Sequence, residues 1–146
     1  MPFVTTPELL HMRVLRNLLW IDCSGALLAA AVMVACSGWL SRLYLLPAEL
    51  LVGMGAVNAA YGTFSLSLAL RNPRPRSLLL LLVIANASWA GLCGIAAVVA
   101  ATSASAFGVA HLVFEGLYVG GLAVLEWSNR EVLLDPTTVV HATSTT

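Results

Sequence analysis

The chain has 146 residues, 60% of them hydrophobic and 10% charged, with a mean hydropathy of +0.91, and so cannot clothe a water-facing surface. Seven basic residues, all arginine, balance seven acidic ones, which leaves no basic face for nucleic acid. Four apolar runs and their short connections consume most of the length, so no second domain fits.

Residues 1–16 are expected to form an N-terminal interfacial segment. Thr6-Pro7-Glu8 reads as a helix start, with a hydroxyl N-cap, a proline at the first helical position and an acid in the first turn. Leu9, Leu10, Met12, Val14 and Leu15 then alternate with His11, Arg13 and Arg16, as suits a turn or two at headgroup level. The first span follows at 17–36. Its basic flank resembles a signal peptide, and Met33-Val34-Ala35-Cys36 faintly resembles a lipoprotein cleavage site. The leucine usual three residues before the cysteine is missing, so a retained helix is the expectation.

Trp39 and Tyr44 suit an outer aromatic belt, and Leu46-Pro47-Ala48-Glu49 opens the second span at 46–70. Asn72-Pro73-Arg74-Pro75 cannot continue that helix and makes a short, stiff turn. The third span covers 77–101, and small residues at 102–106 turn the chain into the fourth, 107–127. A polar tail, 128–146, is expected to be loosely ordered beyond Leu134. Each span has about twenty residues or more, enough to cross roughly 30 Å of hydrocarbon.

The arginines orient the zigzag. Arg13 and Arg16 precede the first span, Arg71, Arg74 and Arg76 join the second to the third, and Arg130 follows the fourth; Arg42 alone lies on the other side. The positive-inside rule then places both termini and the 71–76 turn in the cytoplasm. The expected fold is an all-α integral membrane protein of the cell inner (plasma) membrane: four transmembrane helices in a compact up-down bundle. Arg71, Arg74 and Arg76 could also hold an anionic lipid headgroup.

Lipid gives helices no hydrophobic reason to pair, so small residues that admit close backbones must supply it. Gly25 and Ala29, Gly55 and Ala59, Ala87 and Gly91, Ala90 and Gly94, and Gly116 and Gly120 all have the small-xxx-small spacing. They serve either the bundle itself or a second protein. A faint likeness between Leu18-Leu19-Trp20-Ile21-Asp22 and Leu81-Leu82-Val83-Ile84-Ala85 suggests a parallel tandem repeat, a match that chance between apolar helices also gives.

Polar residues within the spans each need an account, since an ionisable group costs at least ~2.5–3.5 kcal/mol at mid-bilayer. Counted from the span ends, Glu115 lies about 12 Å deep and Asn58 and Asn86 roughly 16–17 Å deep. His111, Glu115, Tyr118, Leu122 and Glu126 fall on one stripe of the fourth span, directed into the bundle. This buried polar cluster (Glu115, His111, Tyr118, Asn58 and Asn86) either glues helices together or forms a proton path, with Glu115 the titrating group. Asp22 is expected to pair with Arg16 or Arg76 or to be reached by water, with a structural role favoured, and Glu126 to pair with Arg130 at the interface.

Other chemistries find little support. His111 and Glu115 are only two ligands, so no metal site is expected. His11 and His111 lie at opposite faces, which does not suit haem. Cys23, Cys36 and Cys93 make no C-x-x-C pair, although Cys36 and Cys93 could approach one another near the outer face. No cofactor, nucleophile–base pair or phosphate loop is expected, and no enzymatic activity. The sequence favours a non-catalytic bundle that works through helix–helix contacts, as an accessory subunit or with itself, in contact with membrane lipid. A proton or cation channel or small transporter using Glu115 is the alternative.

Overall fold

The computed structural model describes residues 17–134. The helix start at Thr6-Pro7-Glu8, His11, Arg13, Arg16, His141 and the tail beyond Leu134 lie outside the described residues. Among the described residues six helices follow in chain order: α1 (Leu18–Ala35), α2 (Ser37–Tyr44), α3 (Ala48–Ala69), α4 (Arg76–Ala100), α5 (Ala106–Ser128) and α6 (Arg130–Leu134). Among the described residues there is no strand. Four helices, α1, α3, α4 and α5, are long and apolar enough to cross a membrane. Unbroken Ala, Leu and Val favour helix throughout these runs, and prolines occur only at the ends. Pro47 and Pro75 occupy the N-cap positions of α3 and α4, and Ser105 caps α5 by accepting from the Gly108 amide at 3.2 Å.

Two short helices depart from the sequence expectation. The chain does not leave the first span at Cys36 for a loop; it bends there and continues as α2. Tyr44, at the end of α2, stacks on the His111 ring with centroids 5.1 Å apart. The supposed polar tail likewise begins as α6, with Leu133 only 1% exposed. Arg74 holds that helix in place: it donates from Nη1 to the Leu133 carbonyl at 2.7 Å and from Nε to the Leu68 carbonyl at 3.0 Å. Burial pulls the Arg74 pKa below its ordinary value. Its guanidinium is thus committed to the backbone, while Arg71 and Arg76 remain exposed beside it.

The long helices pair off into two hairpins, α1 with α3 and α4 with α5. Both pairs are antiparallel, because partners advance along one helix as they recede along the other. On α1 and α3, Asp22 meets Ser65, Leu27 meets Gly62 and Met33 meets Gly55. On α4 and α5, Asn86 meets Glu126, Ala90 meets Gly120 and Cys93 meets Gly116. Missing side chains make this closeness possible: a Cβ on Gly62 would lie 2.8 Å from Leu27 Cγ, and one on Gly116 would lie 3.2 Å from Cys93 Cβ. A Cβ on Gly91 or Gly94, both expected to pack helices, would meet nothing; Ala90 and the Gly94 backbone still border Gly116 of α5, whereas Gly91 faces open space.

Between the hairpins the long helices keep their backbones apart, except where the Ser105 amide at the start of α5 donates to the Tyr44 carbonyl of α2 at 2.8 Å. Leucines and methionines do most of the joining, at two levels. At the end bearing the 71–76 turn, Leu18, Leu19, Leu68, Leu79, Leu82, Leu122 and Leu133 form one core. At the opposite end, Met33, Leu40, Leu46, Leu51, Met54, Ala97 and Leu112 form another. The layer between these two cores is where the polar side chains gather.

Candidate functional site

The middle layer holds two carboxylate networks. Glu115, on α5, is the hub of the first. Its Oε1 accepts from Asn58 Nδ2 of α3 at 3.0 Å and from Trp89 Nε1 of α4 at 2.8 Å. Its Oε2 faces His111 Nε2 at 3.3 Å, close enough for an ion pair but without hydrogen-bond geometry, so neither atom has a hydrogen-bond partner. The His111 ring lies on Tyr44, and burial, with the Glu115 charge second, pushes the Tyr44 phenol above its usual pKa. The carboxylate therefore gathers groups from α2, α3, α4 and α5 at one point.

The second network lies nearer the 71–76 turn. Asp22 Oδ2 accepts from Tyr61 Oη at 2.6 Å and Ser65 Oγ at 2.5 Å, both on α3. Across the hairpin boundary, Glu126 Oε2 accepts from Asn86 Nδ2 at 3.1 Å. Asn86 and Asp22 line the same space between the hairpins. Asp22 is 1% exposed and Glu126 fully buried, and Glu126 Oε1 has no hydrogen-bond partner. Among the described residues no cation lies within ion-pair distance of either. Burying a carboxylate without a counter-charge is costly, and among the described residues these two acids are answered by neutral donors alone.

Several expectations change here. Asn86 belongs to Glu126 rather than to Glu115. Glu126 does not pair with Arg130; that arginine reaches Glu131 at 3.5 Å and lies over the Trp127 ring at 4.7 Å. The reason is geometric: Glu126 sits on the inward face of α5, while Arg130 follows the break at Asn129 and starts another helix. Asp22 is answered by α3 hydroxyls and not by Arg76, while Arg16, its other expected partner, lies outside the described residues. The cysteines Cys23, Cys36 and Cys93 are all free. Tyr118 stands apart from the Glu115 hub, with its hydroxyl near the Ile21 carbonyl and directly over Gly25.

Tyr61, Ser65 and Trp89 were missed by sequence reasoning. Tyr61 and Ser65 are four apart on one face of α3, and Asn58 lies three before Tyr61. That i, i+3, i+7 polar stripe was the available signal. Nothing in the order of residues tied Trp89 to a carboxylate.

A cavity of about 480 Å³ lies between the hairpins and joins the two networks. Asp22, Asn58, Asn86 and Glu115 form its polar wall, and Tyr61, Phe64, Trp89 and Tyr118 supply aromatic rings. It opens on the flank of the helices, where Val57 and Ala60 of α3 face Leu81, Ser88 and Leu92 of α4, all of them exposed. No group of three or more metal-binding side chains occurs among the described residues. Comparison with protein-family models, curated proteins and solved structures gives no match.

Proposed function

We propose that this chain is a small membrane transport protein whose inter-hairpin cavity exchanges cations or protons through its carboxylates. One observation carries the reading: two acids on different hairpins, Asp22 and Glu126, are buried in one layer with no positive partner among the described residues. A bundle held only by helix contacts has no need of such a pair, since apolar residues of similar volume would pack as well without the desolvation cost. Ionisable groups retained in a membrane interior mark ion and substrate paths. The leucine and methionine cores above and below the cavity suit a carrier that rocks one hairpin against the other better than an open channel.

In this reading both termini and the 71–76 turn face the cytoplasm, in keeping with the bias of Arg71 and Arg76, both exposed, and half-buried Arg130 to that side. The Asp22–Glu126 pair then lies toward the cytoplasm and Glu115 toward the exterior. Reconstituted protein should dissipate an imposed pH gradient across liposomes, measured with an entrapped pH dye. Asp22→Asn should slow this at least tenfold, and Glu115→Gln should slow it less, because His111, Asn58 and Trp89 still hold that side chain. Flux equal in wild type and both variants would end the proposal.

A second reading is favoured by Gly91 and Gly94. Their open positions on α4 leave a face on which the helix of another subunit, or of a second copy, could pack closely. In that reading the chain works through helix contact without catalysis. Crosslinking in native membranes through cysteine introduced at Gly91 would trap such a neighbour.

A further inference from the structure

We propose that the cavity is a binding site for a lipophilic monovalent organic cation, an ammonium or phosphonium bearing apolar substituents, with Asp22 as its counter-charge. This names a cargo class for the transport reading and rests on it for movement, though not for binding. The cavity, about 480 Å³, falls within the roughly 300–1,000 Å³ typical of small-molecule sites. Its wall is aliphatic and aromatic apart from a few polar groups, and no basic side chain among the described residues lines it. An anion would find only like charge there.

An inorganic cation would gain nothing from the apolar wall, and a neutral lipophile would leave the acid uncompensated. An organic cation uses both features. Rings from three helices, Tyr61 of α3, Trp89 of α4 and Tyr118 of α5, line the same space, and their faces attract a desolvated cation. Asp22 is the better counter-ion of the two lining acids. Glu115 already has His111 beside it and two N–H donors on Oε1, whereas among the described residues Asp22 has only neutral partners, chiefly the hydroxyls of Tyr61 and Ser65. The flank opening between α3 and α4, with Val57, Leu81 and Leu92 exposed on its rim, suits a solute that partitions into acyl chains before it enters.

Radiolabelled tetraphenylphosphonium and the full chain in mild detergent test the site, with tetraphenylborate as an anion of the same shape. Saturable binding of the phosphonium is expected, with no competition from the borate and at least a tenfold loss of affinity in Asp22→Asn. Equal competition by the borate, or unchanged affinity in Asp22→Asn, overturns the site. Should that variant fail to fold, Leu92→Trp serves instead. It narrows the mouth without touching either carboxylate network and should weaken binding at least fivefold; unchanged affinity there also overturns the site. Phosphonium binding without pH-gradient dissipation would leave the site standing and end the transport reading. Dissipation without phosphonium binding would do the reverse.

Discussion

Glu126 sits fully buried with one carboxylate oxygen accepting from Asn86 and the other unanswered, and its chemistry can be separated by substitution. Glu126→Gln keeps shape, volume and an acceptor for Asn86 while removing any need for a charge, so it should fold with stability equal to or above wild type. Glu126→Ala leaves Asn86 without its partner and opens a void, and should cost about 1–3 kcal/mol. Thermal unfolding in detergent, followed by helical circular dichroism, distinguishes the two; a Gln variant as unstable as the Ala variant would mean that the carboxylate itself holds the fold. The side chain also shows where sequence reading stops. The stripe from His111 to Glu126 was visible from spacing, because helical periodicity fixes which residues share a face. Which partner each acid takes depends on the depth offset between hairpins, and no single-helix pattern encodes that. Hence Asn58 and Asn86, at similar counted depth, went to different acids.

At the scale of elements, close approach depends on particular glycines and not on small-residue spacing in general. A Cβ on Gly62 would meet Leu27 at 2.8 Å, so Gly62→Val should force α1 and α3 apart and destabilise the protein by about 1–3 kcal/mol. Gly91→Ala meets nothing and should be neutral or stabilising by roughly 0.5–1 kcal/mol, since alanine is the better helix former. The same unfolding assay compares them, and equal effects would contradict the hairpin packing. The ends of the long helices were legible to within about two residues of 17–36, 46–70, 77–101 and 107–127, because apolar length and flanking prolines decide them. The short helices α2 and α6 were not. Both are too short to be stable by propensity and exist because tertiary contacts hold them, α2 through Tyr44 on His111 and α6 through Arg74. Arg74→Ala should therefore release α6, raising amide exchange at Arg130–Leu134 while the four long helices keep their protection. Arg74→Lys should rescue this only in part, because one ammonium lacks the planar fork that spans two carbonyls.

The whole molecule has an arginine-bearing end and an end bearing only Arg42, and that asymmetry fixes how the cavity would be reached from each side of a bilayer. Arg74 is spent on backbone carbonyls, so the bias rests on Arg71 and Arg76, both exposed, with Arg130 on the same side through α5 and α6. Cys36 offers a direct readout at the other end. It is exposed at the bend between α1 and α2, whereas Cys23 and Cys93 are each 2% exposed and embedded between helices. A membrane-impermeant maleimide added to intact cells should therefore modify one thiol per chain, and Cys36→Ser should abolish the signal. Cys23 and Cys93 should react only after denaturation. Modification that requires permeabilised cells would invert the orientation, placing the Asp22–Glu126 pair toward the exterior and Glu115 toward the cytoplasm. The cavity and its charges would be unchanged by that inversion, because they depend on helix packing alone; only the direction in which a cation meets Asp22 before Glu115 would reverse.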